Sequence, residues 1–199
     1  MKKIATFAAI LSHTAQLACA WSINGHIYVT TIAERLLSDN DAAALGAVYD
    51  MLGYLTAESP DFTWREDEHA LVESSTFTDD WKYSGEAWQG AFHYVNIPWV
   101  AQGNPSSYTF NSNDKNIIDG TNDIIAWLSG KQGEGYKSSY IYDYLVNRKY
   151  AGKDENIAKS YALRMLIHQM GDLSQPLHTM DRFTKKYPDG DAGGNAFKL

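Results

Sequence analysis

The segment Ser160 to His178, SYALRMLIHQMGDLSQPLH, sets two metal-ligand side-chain types one helical turn apart and a third just beyond. Wound at about 100° per residue, His168 and Asp172 share one side with Tyr161 and Met165. Leu163, Leu166, Ile167, Met170 and Leu173 fall on the other. Apolar side chains cover most of the circumference, so the helix should be buried. An imidazole and a carboxylate in that setting need a partner, because an unpaired buried charge costs several kcal/mol. Gly171, Asp172 and Ser174 weaken the helix, and Pro176 should end it, leaving His178 just past the break. Two readings stand side by side. A His–Asp pair at i,i+4 is an ordinary side-chain pair, or, with His178, it is part of a metal site.

Further donors lie elsewhere in the chain. In WSINGHIYVTTIAERLL, residues His26, Val29, Thr30, Ala33 and Leu37 share one helical face, which points His26 inward. A core-facing histidine is either a hydrogen-bonded structural residue or a ligand. Five residues before it, a chain starting at Trp21 would offer a free α-amine that a metal can deprotonate, next to a carbonyl that closes a five-membered chelate. Asp79 and Asp80 follow in STFTDDWK, and His93 in AFHYVNIP. His69 stands among Glu66, Asp67 and Glu68, which reads as a solvated face with no role in chemistry. Four histidines (His26, His93, His168 and His178) are thus placed to face one buried site with Asp79 and Asp172. Imidazole and carboxylate without thiolate suit zinc, and a set this large suggests more than one ion.

The elements that must hold these donors are mostly helical. Asp41 to Leu52, Ile117 to Leu128 and Ile141 to Arg148 read as helices, and Asp154 as the N-cap of the central one. Trp99 to Lys115 and Ser129 to Ser138 read as loops rich in Gly, Asn, Pro, Ser or Lys. Strand-like alternation is scarce, so the fold class expected is mainly α. At 199 residues, 44% hydrophobic and 13% aromatic, the chain suits one well-packed domain.

Residues 1–20 have the outline of a signal peptide, with Lys2 and Lys3, an apolar run from Ile4 to Leu11 and the Ala18-Cys19-Ala20 cleavage pattern. The other reading is an N-terminal helix of the mature fold. The apolar run is too short to span a bilayer. Cleavage would leave a domain of residues 21–199, secreted, lumenal, periplasmic or at the cell surface. It would remove the only cysteine, so metal is a candidate for the stabilising role that disulfides often play in exported proteins. The net charge of −7 argues against broad electrostatic binding of a phosphate backbone. A phosphate substrate would need a local positive feature such as bound metal ions.

Taken together, W-x4-H from Trp21, LRMLIHQMGDLSQPLH and the following Gly193-Gly194-Asn195 resemble the class I zinc-dependent single-strand-specific nucleases, also called 3′-nucleotidase/nucleases. STFTDD and FHYVN are weaker anchors. The resemblance implies a mostly helical, phospholipase C/nuclease-like fold around three zinc ions in a cleft. One zinc would be held by Asp79, His93, His168 and Asp172. A second would be held by the amine and carbonyl of Trp21, by His26 and by a bridging Asp172. The third would take His178 with a His and an Asp from a later H-x3-D pattern. The chain stops at Leu199 before any such pattern, so a C-terminally incomplete domain with little activity is expected.

By the same resemblance, Asn195 would contact the scissile phosphate, Lys82 would stand in for a phosphate-binding Arg, and Tyr94 would stack on a base. Asn96 stands where many members carry an Asp that reads the base edge. The implied reaction hydrolyses single-stranded DNA and RNA to 5′-nucleotides and removes phosphate from 3′-nucleotides. No protein partner is implied, and a monomer is expected. The rival readings are a zinc-dependent phospholipase C, which shares the trinuclear architecture, and an inactive binding or antigenic protein.

Overall fold

A computed structural model describes residues 23–108, 110, 115–131 and 133–196. The expected leader at 1–20 and Trp21 lie outside the described residues. The described chain is mainly helical, in the order α1 (Ile23–Asn40), α2 (Ala42–Glu58), α3 (Ala70–Glu73), α4 (Phe77–Trp81), α5 (Ile117–Ser129), α6 (Tyr140–Tyr142) and α7 (Glu155–Leu173). Strands β1 (Ile97–Val100) and β2 (Met180–Phe183) complete it.

Helix α7 is the central pillar. Asp154 caps it by accepting the Asn156 N–H at 2.9 Å, and it ends at Leu173, before Pro176. It packs against α1, α2 and α5. Tyr161, Ala162, Met165, His168 and Asp172 are all buried, so the side bearing the polar pair is the deeper one. Met170 and Leu173 are exposed, although they sit on the apolar side of the sequence projection. The core on α7 joins Leu55, Phe77, Phe92, Ile124, Trp127, Ile141 and Leu145 around Ala158, Tyr161 and Met165. Burial of side chains of this size stabilises by about 1.5–3 kcal/mol each.

Small and polar residues let α2 approach α7 closely. Ser160 Oγ donates to the Leu52 carbonyl at 2.9 Å and accepts the Leu55 N–H at 3.1 Å. Arg164, fully buried, is bidentate to Glu66 at 2.7 and 2.5 Å and also donates to the carbonyls of Ser160 and Leu52. Glu66 therefore does not belong to a solvated acidic face. Burial raises its pKa, and Arg164 opposes that rise.

Two other expectations change. Trp99 and Val100 are not loop but the end of β1, which runs parallel to β2 with Ile97 opposite Met180 and Val100 opposite Phe183. Just before the strands, the Val95 N–H donates to the His178 carbonyl at 3.0 Å, which sets the stretch after His93 beside His178. On α1, His26 and Thr30 face inward as expected, whereas Ala33 is exposed.

Arg164→Ala should leave Glu66 as an uncompensated buried charge and cost about 3–5 kcal/mol in urea denaturation. Arg35→Ala, which breaks a pair exposed on both sides, should cost under about 1 kcal/mol. Equal losses from the two variants would show that the Arg164 network does not hold α2 on α7.

Candidate metal centre

Five elements deliver ionisable side chains to one buried spot. Helix α7 supplies His168 and Asp172, α1 supplies His26 and α4 supplies Asp79. A 3₁₀ stretch, Ala87–His93, ends on His93, and another, Pro176–Thr179, carries His178. All four histidines are buried, and Asp172 is only 2% exposed.

The donors form two adjoining groups around Asp172. On one side, Asp172 Oδ2 lies 2.9 Å from His93 Nδ1 and 3.1 Å from His168 Nε2, and those nitrogens are 3.1 Å apart. Asp79 Oδ1 is 3.8 Å from each nitrogen. Ligands held at about 2.0–2.1 Å around a tetrahedral zinc are separated by about 3.4 Å, a spacing these edges bracket. On the other side, Asp172 Oδ1 is 3.4 Å from both His26 Nε2 and His178 Nε2. The His26 and His168 rings stack with centroids 4.0 Å apart.

Hydrogen bonding accounts for only part of this convergence, the His168 Nε2 to His93 Nδ1 contact. Asp172 Oδ2 and both ring nitrogens of His26 are buried without a hydrogen-bond partner, so the short distances lack N–H alignment. His168 uses Nδ1–H to donate to the Ser75 carbonyl at 2.7 Å, and His178 uses Nδ1–H to donate to the Gly193 carbonyl at 2.9 Å. In their neutral forms both rings therefore turn a lone pair on Nε2 toward a carboxylate oxygen. His168 Nε2 can accept from His93 Nδ1–H, but His178 Nε2 and Asp172 Oδ1 face each other as acceptors, a contact that is stable only with a proton or a cation between them. An outer partner that fixes the tautomer of an inward-facing imidazole is the usual support of a metal ligand.

Protonation states agree with a ligand set. Burial, reinforced by His168, lowers the His26 pKa to about 4, and burial also lowers that of His93. Burial is the largest single influence on His168 and lowers its pKa, but Asp172, Asp79 and the hydrogen bond to the Ser75 carbonyl together outweigh it, so the net shift is upward. Burial works against ionisation of Asp172 and Asp79, but the surrounding imidazoles, with His168 foremost, hold both carboxyls below the ordinary range. Ionised carboxylates and neutral rings are the forms that bind metal, so His26 and His93 stand ready as ligands, whereas His168 would release its ring proton to a bound ion. Among the described residues, His26, His168 and Asp172 form one group able to hold an ion, and Asp79, His93 and His168 form another.

Other candidate residues surround the cluster. Lys82 Nζ donates to Asp79 Oδ1 at 2.7 Å. Tyr94 meets His178 edge-on, with ring centroids 5.3 Å apart. Asn96 has a φ of 56°, and its Oδ1 is buried without a partner. Asn195 is exposed, and its side chain donates to the Ala192 carbonyl at 3.0 Å. His69 stays at the surface, 3.4 Å from Glu34 and apart from the cluster.

Sequence reasoning missed three supporting residues. Ser75 and Gly193 act through backbone carbonyls, for which only the motif positions before STFTDD's aspartates and within GGN gave a hint. Gly171 reads as a helix weakener, but a Cβ there would lie 2.3 Å from His26 Nδ1. Its missing side chain is the space the His26 ring occupies.

A helical fold enclosing buried His/Asp clusters that could hold metal ions is consistent with the S1/P1 nuclease fold. Residues 21–199 match the family model of S1/P1 nuclease, and the chain belongs to that family. Family membership implies a nuclease function within a hydrolase family. Comparison with curated proteins and with solved structures gives no match.

Gly171→Ala should keep or slightly raise helicity, since alanine is the better helix former. It should displace His26 and reduce the zinc retained per chain after dialysis, as read by atomic absorption beside circular dichroism. Undiminished zinc would contradict a ligand role for His26.

Proposed function

We propose that this chain is a zinc-dependent phosphodiesterase and phosphomonoesterase. It acts on single-stranded DNA and RNA, releasing 5′-nucleotides, and on 3′-nucleotides, releasing phosphate. The observation that carries the reading is the Asp172 carboxylate, with two imidazole nitrogens near each oxygen and no aligned hydrogen bond to Oδ2. Donors limited to imidazole and carboxylate fit zinc. Asp79, His93, His168 and Asp172 would hold one ion; His26 and Asp172 would hold a second with Trp21; and His178 would donate to a third. The chemistry zinc supplies when bound is charge neutralisation on the phosphate and a water of lowered pKa.

The chain's own residues supply position and selectivity. Burial is the largest single influence and works against the Lys82 charge, but the hydrogen bond it donates to Asp79 and the charge of that carboxylate, helped by Tyr94 and Tyr83, together raise the pKa, so the ammonium persists at neutral pH. In an acidic protein that ammonium is a local positive pole for a phosphate oxygen. Tyr94, half-buried against His178, offers a ring on which any unpaired base can stack. A base within a duplex cannot reach it, which favours single strands. Asn96 and Asn195 offer amide groups to the base edge and the phosphate. The leader at 1–20 would deliver the enzyme outside the cytosol, and no protein partner is required.

With zinc present, cleavage of a single-stranded oligonucleotide to 5′-phosphorylated products and dephosphorylation of 3′-AMP are the reactions expected, slow where His178 alone holds the third ion, and a duplex should react more slowly still. Chelation should abolish both reactions and zinc should restore them. Asp172→Asn should lower the rate by at least about 100-fold. Cleavage that survives chelation, or an undiminished Asp172→Asn rate, would contradict the assignment.

A further inference from the structure

Beside His178 lies a short turn, Asp191 to Ala196, whose backbone is bent in an unusual way. Ala192 has a φ of 54°, a conformation rare for a residue with a side chain, and Gly193 and Gly194 follow at 61° and 85°. The turn presses directly on the segment carrying His178. A Cβ at position 194 would lie 2.5 Å from Leu177 Cβ, and one at position 193 would lie 3.2 Å from the Tyr94 ring. A strained turn in such a tight place must be held by more than its own backbone.

Two aspartates hold it. Asp191, 4% exposed, accepts the Arg182 N–H of β2 at 2.9 Å and the Gly194 N–H at 3.2 Å on the same oxygen, Oδ1. Asp181, also on β2, accepts the Gly193 N–H at 3.4 Å. Burial and the neighbouring Asp191 keep the Asp181 carboxyl above its ordinary range, which fits two carboxyls packed as one unit. The turn is therefore fastened to β2 at consecutive N–H groups, and between them the Gly193 carbonyl is aimed at His178 Nδ1.

Resting on the metal-centre reading above, we infer that Asp191 is a positioning residue for His178: by clamping the 191–196 turn to β2, it fixes the Gly193 carbonyl that commits His178 to donating from Nδ1 and keeps Nε2 facing Asp172. The chain of contacts runs from Asp191 Oδ1 to Gly194 N–H, across the peptide to the Gly193 carbonyl, and on to the imidazole. Asp191 touches no substrate. Its function is to select which ring nitrogen carries the proton.

The test is the protonation pattern of the histidine rings, read by long-range ¹H–¹⁵N correlation in the purified full chain. Wild type should show a protonated Nδ1 at His178 and also at His168, whose own carbonyl partner is Ser75. Asp191→Ala should lose the Nδ1–H signature at His178 and keep it at His168. Asp191→Asn retains an acceptor oxygen for both N–H groups and should keep the wild-type pattern at both rings. Three results would overturn the inference: an intact His178 signature in Asp191→Ala, loss at both histidines, or loss in Asp191→Asn. The readout needs neither substrate nor turnover. A chain that shows the expected ring pattern but no nuclease activity would therefore count against the proposed function alone.

Discussion

The rest of the site depends on one buried carboxylate. Asp172 is almost completely removed from water, yet the imidazoles around it hold it ionised. A buried anion of this kind is tolerated only when opposite charge sits beside it, because desolvation alone costs several kcal/mol. The neighbouring side chains supply only part of that charge, His168 foremost, whose pKa is raised despite its burial. Burial lowers the pKa of His26 and of His93. His168 and His178 have each committed a ring N–H to a carbonyl facing away from Asp172. A divalent cation held by these residues would resolve the conflict. It would turn facing lone pairs into ligands and give the buried anion its missing counter-charge.

The architecture can be understood as the means of holding that arrangement still. Helix α7 carries Asp172 with His168, and its close seat on α2 is secured by Ser160 and by Arg164 paired with Glu66. Gly171 leaves room for α1 to bring His26 against the same turn. The parallel pairing of β1 with β2 draws together the segments leading from His93 and from His178. Each donor thus comes from an element whose packing is settled away from the site, which is how ligand geometry stays precise in a centre of this kind.

Much of this was legible in the residues. Asp154 as a cap and Pro176 as a terminator mark the ends of α7 to within a few residues, because both act through their own backbone. The spacing of His168 and Asp172 placed them on one side at once. What escaped depends on contacts between distant segments. Glu66 looks solvated among Asp67, Glu68 and His69 until Arg164 is known to lie beneath it. Ile97 to Val100 is too short to show alternation, and its partner strand is remote in the chain. Met170 and Leu173 looked like core from their apolar character, but the more buried side of α7 is the one that carries the shared charge. The backbone carbonyls of Ser75 and Gly193 carry no residue-type signal at all.

The claim that Asp172 and its imidazoles share bound cations is tested most directly by thermal unfolding of chelator-stripped protein across a range of zinc concentrations. A ligand that binds only the folded state raises stability with the logarithm of its concentration. A midpoint that climbs steadily with zinc in the wild type, and stays flat in Asp172→Asn, is the expected result. A wild-type midpoint indifferent to zinc would contradict a cation-bridged carboxylate at the centre of this fold.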